Sequence, residues 1–190
     1  MELTGEEQRP ASGWTAAREL PRRRKIAVAG VSGALVVACF VRFGFSGRAL
    51  VDSIFAATLV LLTAIDLDRR LIPNVIVLPA TALVLALQIA FHPGRTLEWV
   101  LASIGAALFF FIPAVIFPAG MGMGDVKLAA LLGAALGKSV IAAILVAVVS
   151  AALVSLVILG RHGLGARKRA IPYGPFLALG GLVVMLLGGR

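Results

Sequence analysis

Charged residues are scarce in this sequence: they make up 14% of its 190 residues, whereas hydrophobic residues make up 60% and the mean hydropathy is +1.02. This composition is typical of an integral membrane protein rather than a soluble domain. The formal net charge is +9. It does not indicate nucleic-acid binding, because most basic residues lie in short turns beside apolar runs and form no soluble basic face.

Cysteine and histidine are also rare, which limits metal chemistry. The one cysteine, Cys39, lies inside an apolar run and can form neither a disulfide within the chain nor a four-cysteine metal site. The two histidines, His92 and His162, fall on opposite sides of the membrane in the topology given below. We therefore expect no metal site and no cofactor.

Apolar runs separated by short polar turns predict an all-α fold, a polytopic transmembrane helix bundle of about 6–7 spans. A bilayer core about 30 Å thick needs roughly 20 apolar residues per helix. The fifth run gives only about 17 Å of helix, so either its helix begins within the preceding glycine-rich turn or Asp125 is drawn below the membrane surface. The expected spans are 26–41, 49–65, 75–91, 100–117, 126–136, 139–159 and 176–187.

The N-terminal residues 1–25 are polar, contain two prolines and end in four consecutive basic residues. We expect a disordered basic cytoplasmic tail here, followed by a transmembrane domain over residues 26–190. A signal peptide, or lipoprotein processing at Cys39, is the less favoured interpretation, because more membrane-spanning sequence follows instead of a secreted domain.

The basic residues also predict the orientation of the chain in the membrane. With residues 1–25 inside, seven alternating spans place thirteen Lys and Arg residues inside and five outside, in agreement with the positive-inside rule. Asp66 and Asp125 then fall on the same, cytoplasmic side. Asp52 lies on the same helix as Asp66 but about 21 Å away, so we exclude it from a shared site.

Asp66 and Asp125 are the candidate functional acids. An ionisable side chain at the edge of a lipid-embedded bundle costs roughly 2.5–3.5 kcal/mol to insert, so it commonly marks a working site. Two facing carboxylates a few ångströms apart cannot both ionise easily, and a pair that shares one proton supplies an acid and a base for hydrolysis. Gly122 and Gly124, beside Asp125, would let the backbone approach a substrate strand closely.

Other polar residues near these acids have simpler interpretations. Asp68 is interpreted as a solvated turn residue or a partner for Arg69, Arg70 or Lys127. Lys127 is interpreted as a lipid-headgroup contact that could bias the charge of the aspartate pair. The glycine spacing does not indicate a nucleotide loop, because it follows a membrane helix and lacks the Gly-x-Gly-x-x-Gly form.

Three short motifs occur in a common order across about residues 50–180. The first joins an aspartate to an Ile-Pro-Asn triplet, the second is a Gly-x-Gly-Asp box followed by lysine, and the third is a late proline- and glycine-containing turn. Their residues are Asp66, Ile72, Pro73, Asn74, Gly122, Met123, Gly124, Asp125, Lys127, Leu128, Pro172, Tyr173, Gly174, Pro175 and Phe176.

Together these motifs resemble the type IV prepilin peptidases, membrane aspartyl proteases of the Gly-x-Gly-Asp type that are grouped with presenilin-like proteases. The resemblance implies that Asp66 and Asp125 are catalytic and that the other motif residues support the backbone or the substrate. It implies a prepilin or pilin-like precursor as substrate, cut at a short basic leader on the cytoplasmic face of the inner membrane. The expected partners are that precursor and the lipid bilayer, and a homodimer is left open.

The longer members of that family carry paired cysteines linked to zinc and to methylation of the new pilin N-terminus. With one cysteine, this chain resembles the short, peptidase-only form. Two other functions remain as alternatives. A small transporter or proton path could use the same acids, and a non-catalytic subunit of a pilus or secretion machine would tolerate their replacement by asparagine.

Overall fold

The computed structural model describes residues 20–116, 121–162 and 172–188. Within these ranges the chain forms seven α-helices and two short 3-10 segments and contains no strand, which confirms the all-α class. The helices are α1 Arg22–Phe43, α2 Gly47–Arg69, α3 Asn74–Phe91, α4 Thr96–Ile116, α5 Met123–Leu136, α6 Val140–His162 and α7 Gly174–Leu186; the 3-10 segments are Pro93–Arg95 and Gly137–Ser139.

The helices are apolar enough to form a transmembrane bundle. Five stretches have the length and hydropathy to cross a membrane, and α7 is a shorter apolar helix. One of the five, Met123–Arg161, contains α5 and all but the last residue of α6. Large apolar side chains also face outward, with Val41 82% and Leu156 65% exposed. Such a surface is a liability in water but suits lipid, so the polytopic bundle is confirmed.

One end of the bundle gathers the C-terminal end of α2 and the N-terminal ends of α3, α5 and α7. Asp66, Asn74 and Asp125 line one cavity there, and Gly174 packs directly against the Asp66 carboxyl. We call Asp66 and Asp125 the dyad and this end of the bundle the dyad end.

The opposite end gathers the other termini of the same helices. Arg48 at the start of α2, His92 after α3 and Trp99 at the start of α4 line one small pocket. Gly137, directly after α5, packs on Trp99. Gly188, which follows α7, lies near Arg48: a Cβ built on this glycine would be 3.8 Å from an Arg48 nitrogen. Helix α2 therefore runs from the opposite end to the dyad end, and α3, α5 and α7 run in the reverse direction, as seven alternating spans predict.

The remaining helices lie at the periphery: α1 packs chiefly on α2, and α6 on α7. Arg24, near the start of α1, forms an ion pair with Asp68 at the dyad end. Phe43, the last residue of α1, lies under the Arg48 guanidinium at the opposite end. Asp68 therefore has a partner that the sequence interpretation did not include. Helix α1 also begins at Arg22, so the basic run 22–25 belongs to the helix and not to the predicted tail; residues 1–19 lie outside the described ranges.

Helix α5 lies at the centre of the bundle, between α3, α4 and α7. It has 14 residues and begins at Met123, which shows that the helix starts inside the glycine-rich turn, the first of the two alternatives. Its packing is tight because Gly133 has no side chain: an added Cβ would lie 2.3 Å from the carbonyl oxygen of Ala102 on α4. Gly120, the first glycine of that turn, lies outside the described residues.

Candidate active site

Asp66 is held at the C-terminal end of α2 by the turn that follows it. Arg70 adopts a left-handed conformation, with φ 51°, and its N–H donates to the Asp66 carbonyl at 2.8 Å, which ends the helix. Pro73, in an extended conformation, then precedes the first residue of α3. The Asp66 side chain is only 6% exposed, so a polar group is buried at a helix terminus.

Asp125 lies in the first turn of α5, where a negative charge is favoured by the helix dipole. Its backbone N–H donates to the Gly122 carbonyl at 3.1 Å, and the Gly122 N–H in turn interacts with the Asp125 carboxyl. The residue is 9% exposed. Gly122 has ordinary extended angles, φ −82° and ψ 148°, so its backbone conformation does not require glycine.

The two carboxyls meet at one cavity of about 310 Å³. Both residues line this cavity, and Asp66 lies within range for its charge to act on Asp125. The lining is mixed polar and apolar and comes from the α2–α3 turn and the start of α5. The lining residues are Asp66, Arg70, Leu71, Ile72, Asn74, Gly122, Met123, Gly124, Asp125 and Lys127.

The late turn predicted from the sequence closes the site from the side of α7. The backbone N–H of Gly174 interacts with the Asp66 carboxyl, and a Cβ added to Gly174 would lie 2.6 Å from Asp66 Oδ2. Pro175 follows in the first turn of α7, where a missing N–H costs no helix bond. Gly174 therefore contributes to the site by its lack of a side chain, and Pro175 by starting the helix that carries it.

Tyr173 borders the same region. Its ring lies 6.0 Å from that of Phe110 on α4 and 6.3 Å from that of Phe176 on α7. Burial, and to a smaller extent the charge of Asp125, raises the pKa of Tyr173. The phenol therefore keeps its proton at neutral pH and can act as a hydrogen-bond donor near the dyad.

Gly124 makes its close approach to Ile72, in the α2–α3 turn. A Cβ added to Gly124 would lie 2.9 Å from the Ile72 Cβ. The glycine thus lets the start of α5 pack on the turn that follows Asp66. The sequence interpretation assigned this glycine to substrate approach; that role stays a prediction, but the observed contact is internal.

Lys127 and Asn74 connect the two halves of the site. The Lys127 ammonium donates to Asn74 Oδ1 at 2.6 Å, joining α5 to the start of α3. Lys127 also lines the cavity, so this lysine is more than the lipid-headgroup contact expected from the sequence. Asp52 lies at the opposite end of the bundle, 3.7 Å from Arg48, in agreement with its exclusion from the site.

Arg70 is the cavity residue that the sequence reasoning considered only as a partner for Asp68. Its charge acts on Asp66, and its side chain lines the cavity. The available signal was its position four residues after Asp66, directly before the turn into α3. Within the described ranges, the dyad is not part of any group of three or more His, Cys, Asp or Glu side chains that could hold a metal ion.

The fold and the site define a multi-pass membrane protein with two buried carboxyls at one end of a helix bundle. A family model for the type IV leader peptidase family matches residues 53–159, more than half of the chain and a range that includes both acids. The chain therefore belongs to the type IV leader peptidase family.

Individual relatives agree with this family. A prepilin leader peptidase/N-methyltransferase of Burkholderia pseudomallei (strain 1026b) is 33% identical over 163 residues, covering 83% of this chain and 52% of the relative. Relatives of the same name from Bacillus subtilis (strain 168) and Pseudomonas putida are 30% and 35% identical, covering 83% and 77% of this chain and 64% and 53% of their own lengths. The chain spans about half the length of most of these curated relatives. No solved structure matches it.

Proposed function

We propose that this protein is a membrane-embedded aspartic endopeptidase in which Asp66 and Asp125 act as the acid and base. The observation that carries the proposal is the convergence of two buried carboxyls, from α2 and α5, on one cavity. Burial and mutual repulsion disfavour two negative charges in such a place, so the pair is expected to hold one proton between them.

The chemistry follows from that single proton. The ionised carboxylate takes a proton from a water molecule, whose oxygen attacks the carbonyl carbon of the scissile amide. The protonated carboxyl donates its proton to the carbonyl oxygen as the tetrahedral intermediate forms. As the C–N bond breaks, the departing nitrogen takes the proton of one carboxyl and a hydroxyl group of the tetrahedral intermediate gives its proton to the other carboxylate, which returns the pair to one proton. Either aspartate can begin in either role.

The substrate is proposed to be a prepilin or pilin-like precursor, cut at its basic leader. The names of the relatives, prepilin leader peptidase/N-methyltransferase, support this substrate class. We propose only the peptidase activity, because Asp66 and Asp125 in the cavity supply the acid and the base that hydrolysis of a peptide bond needs.

The dyad end is proposed to face the cytoplasm, with the bundle in the inner membrane. The helix ends there carry the basic residues Arg22–Lys25, Arg69, Arg70 and Lys127, which is the distribution expected for the cytoplasmic side. A leader with basic residues would meet the cavity from that side.

A transport or proton path is the weaker alternative because the layer between the two ends of the bundle is apolar. Phe55, Leu59 and Leu62 on α2 and Leu128 and Leu132 on α5 are fully buried there. A path from the dyad to the opposite end would have to cross this packed layer. The dyad is thus better suited to chemistry at one membrane face.

The test is cleavage of a candidate prepilin in membranes that contain wild-type chain, Asp66→Asn or Asp125→Asn, with the membrane level of each protein measured. Both variants should lose processing at normal abundance. Asp68→Asn is the matched control: it removes an acid from the same end of α2, but one that pairs with Arg24 and does not line the cavity. Wild-type processing by either dyad variant would overturn the proposal.

A further inference from the structure

A groove lies between α4 and α6 on the outside of the bundle, away from the dyad cavity, and we call it the α4–α6 groove. Its volume is about 490 Å³, within the range of roughly 300–1,000 Å³ that is typical of ligand sites. Five of its lining residues lie on α4 and four on α6, and all nine are apolar. The remaining lining residue is Lys138, directly before α6.

The groove exists because α4 and α6 lie apart. The 3-10 segment Gly137–Ser139 packs on the start of α4, but the following α6 packs chiefly on α7. Small residues of α4 leave further room: Gly105 lines the groove, and a Cβ added to it would meet nothing within 4 Å. The rim residues Leu101 and Ile141 are 57% and 66% exposed, so the groove opens toward the surrounding lipid.

The length of the groove matches one leaflet of a bilayer. On α4 it extends from Leu101, close to Trp99 at the opposite end, to Phe109, a rise of about 12 Å. Half of a hydrocarbon core about 30 Å thick is about 15 Å. A transmembrane helix of a second copy would need a surface that continues across the whole core. An acyl chain enters from one face and ends near the middle, so the length favours an acyl chain.

Lys138 places a positive charge where the groove begins. Its backbone N–H donates to Glu98 Oε1 at 3.3 Å, which holds the residue beside α4. Its side chain is exposed, and within the described ranges its ammonium forms no hydrogen bond and no ion pair. Glu98 is the nearby acid, but both of its oxygens already accept from Arg95, at 2.9 and 2.7 Å. One carboxylate therefore faces two cations here.

The other charged groups of this end do not cancel that excess. Among the described residues, the only other acid there is Asp52, and it is ion-paired with Arg48. Arg42, at the end of α1, adds a further cation. The N-terminal end of α6, with its partial positive charge, directly follows Lys138. The end of the bundle at which the groove opens is therefore positive and suits an anionic headgroup.

We propose that the α4–α6 groove binds one acyl chain of an anionic phospholipid, whose headgroup phosphate pairs with the Lys138 ammonium. Lipid tails are as apolar as the groove, so burial of the chain gives little preference for one lipid over another. The preference comes from the charge of Lys138, and the groove fixes the position of the chain beside that charge. This site is independent of the proposed peptidase activity, because it lies at the other end of the bundle.

The experiment uses the full chain purified in detergent and incubated with equal amounts of dioleoylphosphatidylglycerol and dioleoylphosphatidylcholine, which have the same acyl chains but different headgroup charges. Native mass spectrometry then counts the retained lipids of each kind and the protein copies in each particle. Gly105→Leu fills the groove, and Lys138→Gln removes its charge.

Each variant has a matched control. Gly33→Leu adds the same side chain at an exposed position of α1, where a Cβ would also meet nothing within 4 Å. Arg42→Gln removes a cation from the same end of the bundle, at an exposed residue that does not line the groove. The controls therefore report the effects of added volume and of lost charge outside the groove.

We expect wild type and both controls to retain more phosphatidylglycerol than phosphatidylcholine. Gly105→Leu should lose one phosphatidylglycerol per chain, and Lys138→Gln should retain phosphatidylglycerol about fivefold more weakly, the effect of one lysine near an anionic headgroup.

The proposal is overturned if wild type retains the two lipids equally, or if either variant retains as much phosphatidylglycerol as wild type. A wild-type dimer that becomes a monomer in Gly105→Leu would also overturn it, because the groove would then be an interface between two copies. Lys138→Gln changes an exposed side chain, so it remains informative if Gly105→Leu fails to fold.

Discussion

Replacing Gly174 with alanine tests how closely α7 holds the dyad. A Cβ at Gly174 would lie 2.6 Å from Asp66 Oδ2 and 3.1 Å from its Cγ, whereas ordinary contact begins at 3.4 Å. The oxygen therefore has to move by about 0.8 Å, the difference between 3.4 and 2.6 Å. Because the obstructing atom is the tip of a side chain, a rotation of Asp66 can remove the clash while the backbones of α2 and α7 stay in place.

We expect Gly174→Ala to lose activity while keeping most of its stability. A misplacement of about 1 Å can slow catalysis by about a hundredfold, so a shift of this size should lower prepilin cleavage by roughly ten- to a hundredfold. The thermal midpoint in detergent should change by less than about 4 °C, the shift that about 1 kcal/mol produces in a chain of this length.

The assay for Gly174→Ala is the initial rate of prepilin cleavage in membranes, normalised to the membrane level of the protein. Gly105→Ala is the matched control, since a Cβ at that position of α4 would meet nothing within 4 Å. Wild-type cleavage by Gly174→Ala would refute the idea that this glycine sets the position of Asp66. A large fall in the thermal midpoint would show instead that the backbone absorbs the clash.

Three further predictions concern packing and protonation. Gly180→Ala should destabilise the bundle by about 1–3 kcal/mol, seen as a lower thermal midpoint, because its Cβ would lie 2.1 Å from the Ala143 backbone oxygen, which cannot swing aside; an unchanged midpoint would contradict this. Gly124→Ala should lower both cleavage and thermal stability, because its new Cβ would lie 2.9 Å from the Ile72 Cβ. Gly122→Ala should keep its stability, since the atoms nearest to its new Cβ lie at 3.8 Å. Equal thermal stabilities of the two variants would count against the packing of Gly124 on Ile72. The cleavage rate should fall at low pH, where both acids of the dyad are protonated and no base remains, and at high pH, where both are ionised and no acid remains; a flat pH profile would exclude the shared proton.

Much of the fold could be predicted from the sequence because membrane crossing depends on local properties. The length of an apolar run and the basic residues beside it predict a span and its direction, and the seven predicted runs correspond to α1–α7. Helix ends were less predictable, because turn contacts set them. The clearest case is α5, which begins at Met123, where the Gly122 carbonyl accepts the Asp125 N–H.

Part of the candidate site could also be predicted from the sequence. Asp66 and Asp125 could be placed at one end of the bundle, since the number of crossings between them follows from the intervening apolar runs. The motif residues Asn74, Lys127 and Gly174 could be named, but not their contacts. The ammonium of Lys127 bonding to Asn74 depends on how α3 and α5 are rotated against each other.

Hydropathy and charge act along the chain, so the amino-acid sequence alone predicts a multi-pass helical membrane protein with two acids at the same end. Tertiary packing was needed to show that Gly174 abuts Asp66, that Gly124 packs on Ile72 and that Lys127 bonds to Asn74. Such contacts join helices that are distant in sequence. Their spacing depends on the rotation and close packing of every helix at once, which no single segment of the chain encodes.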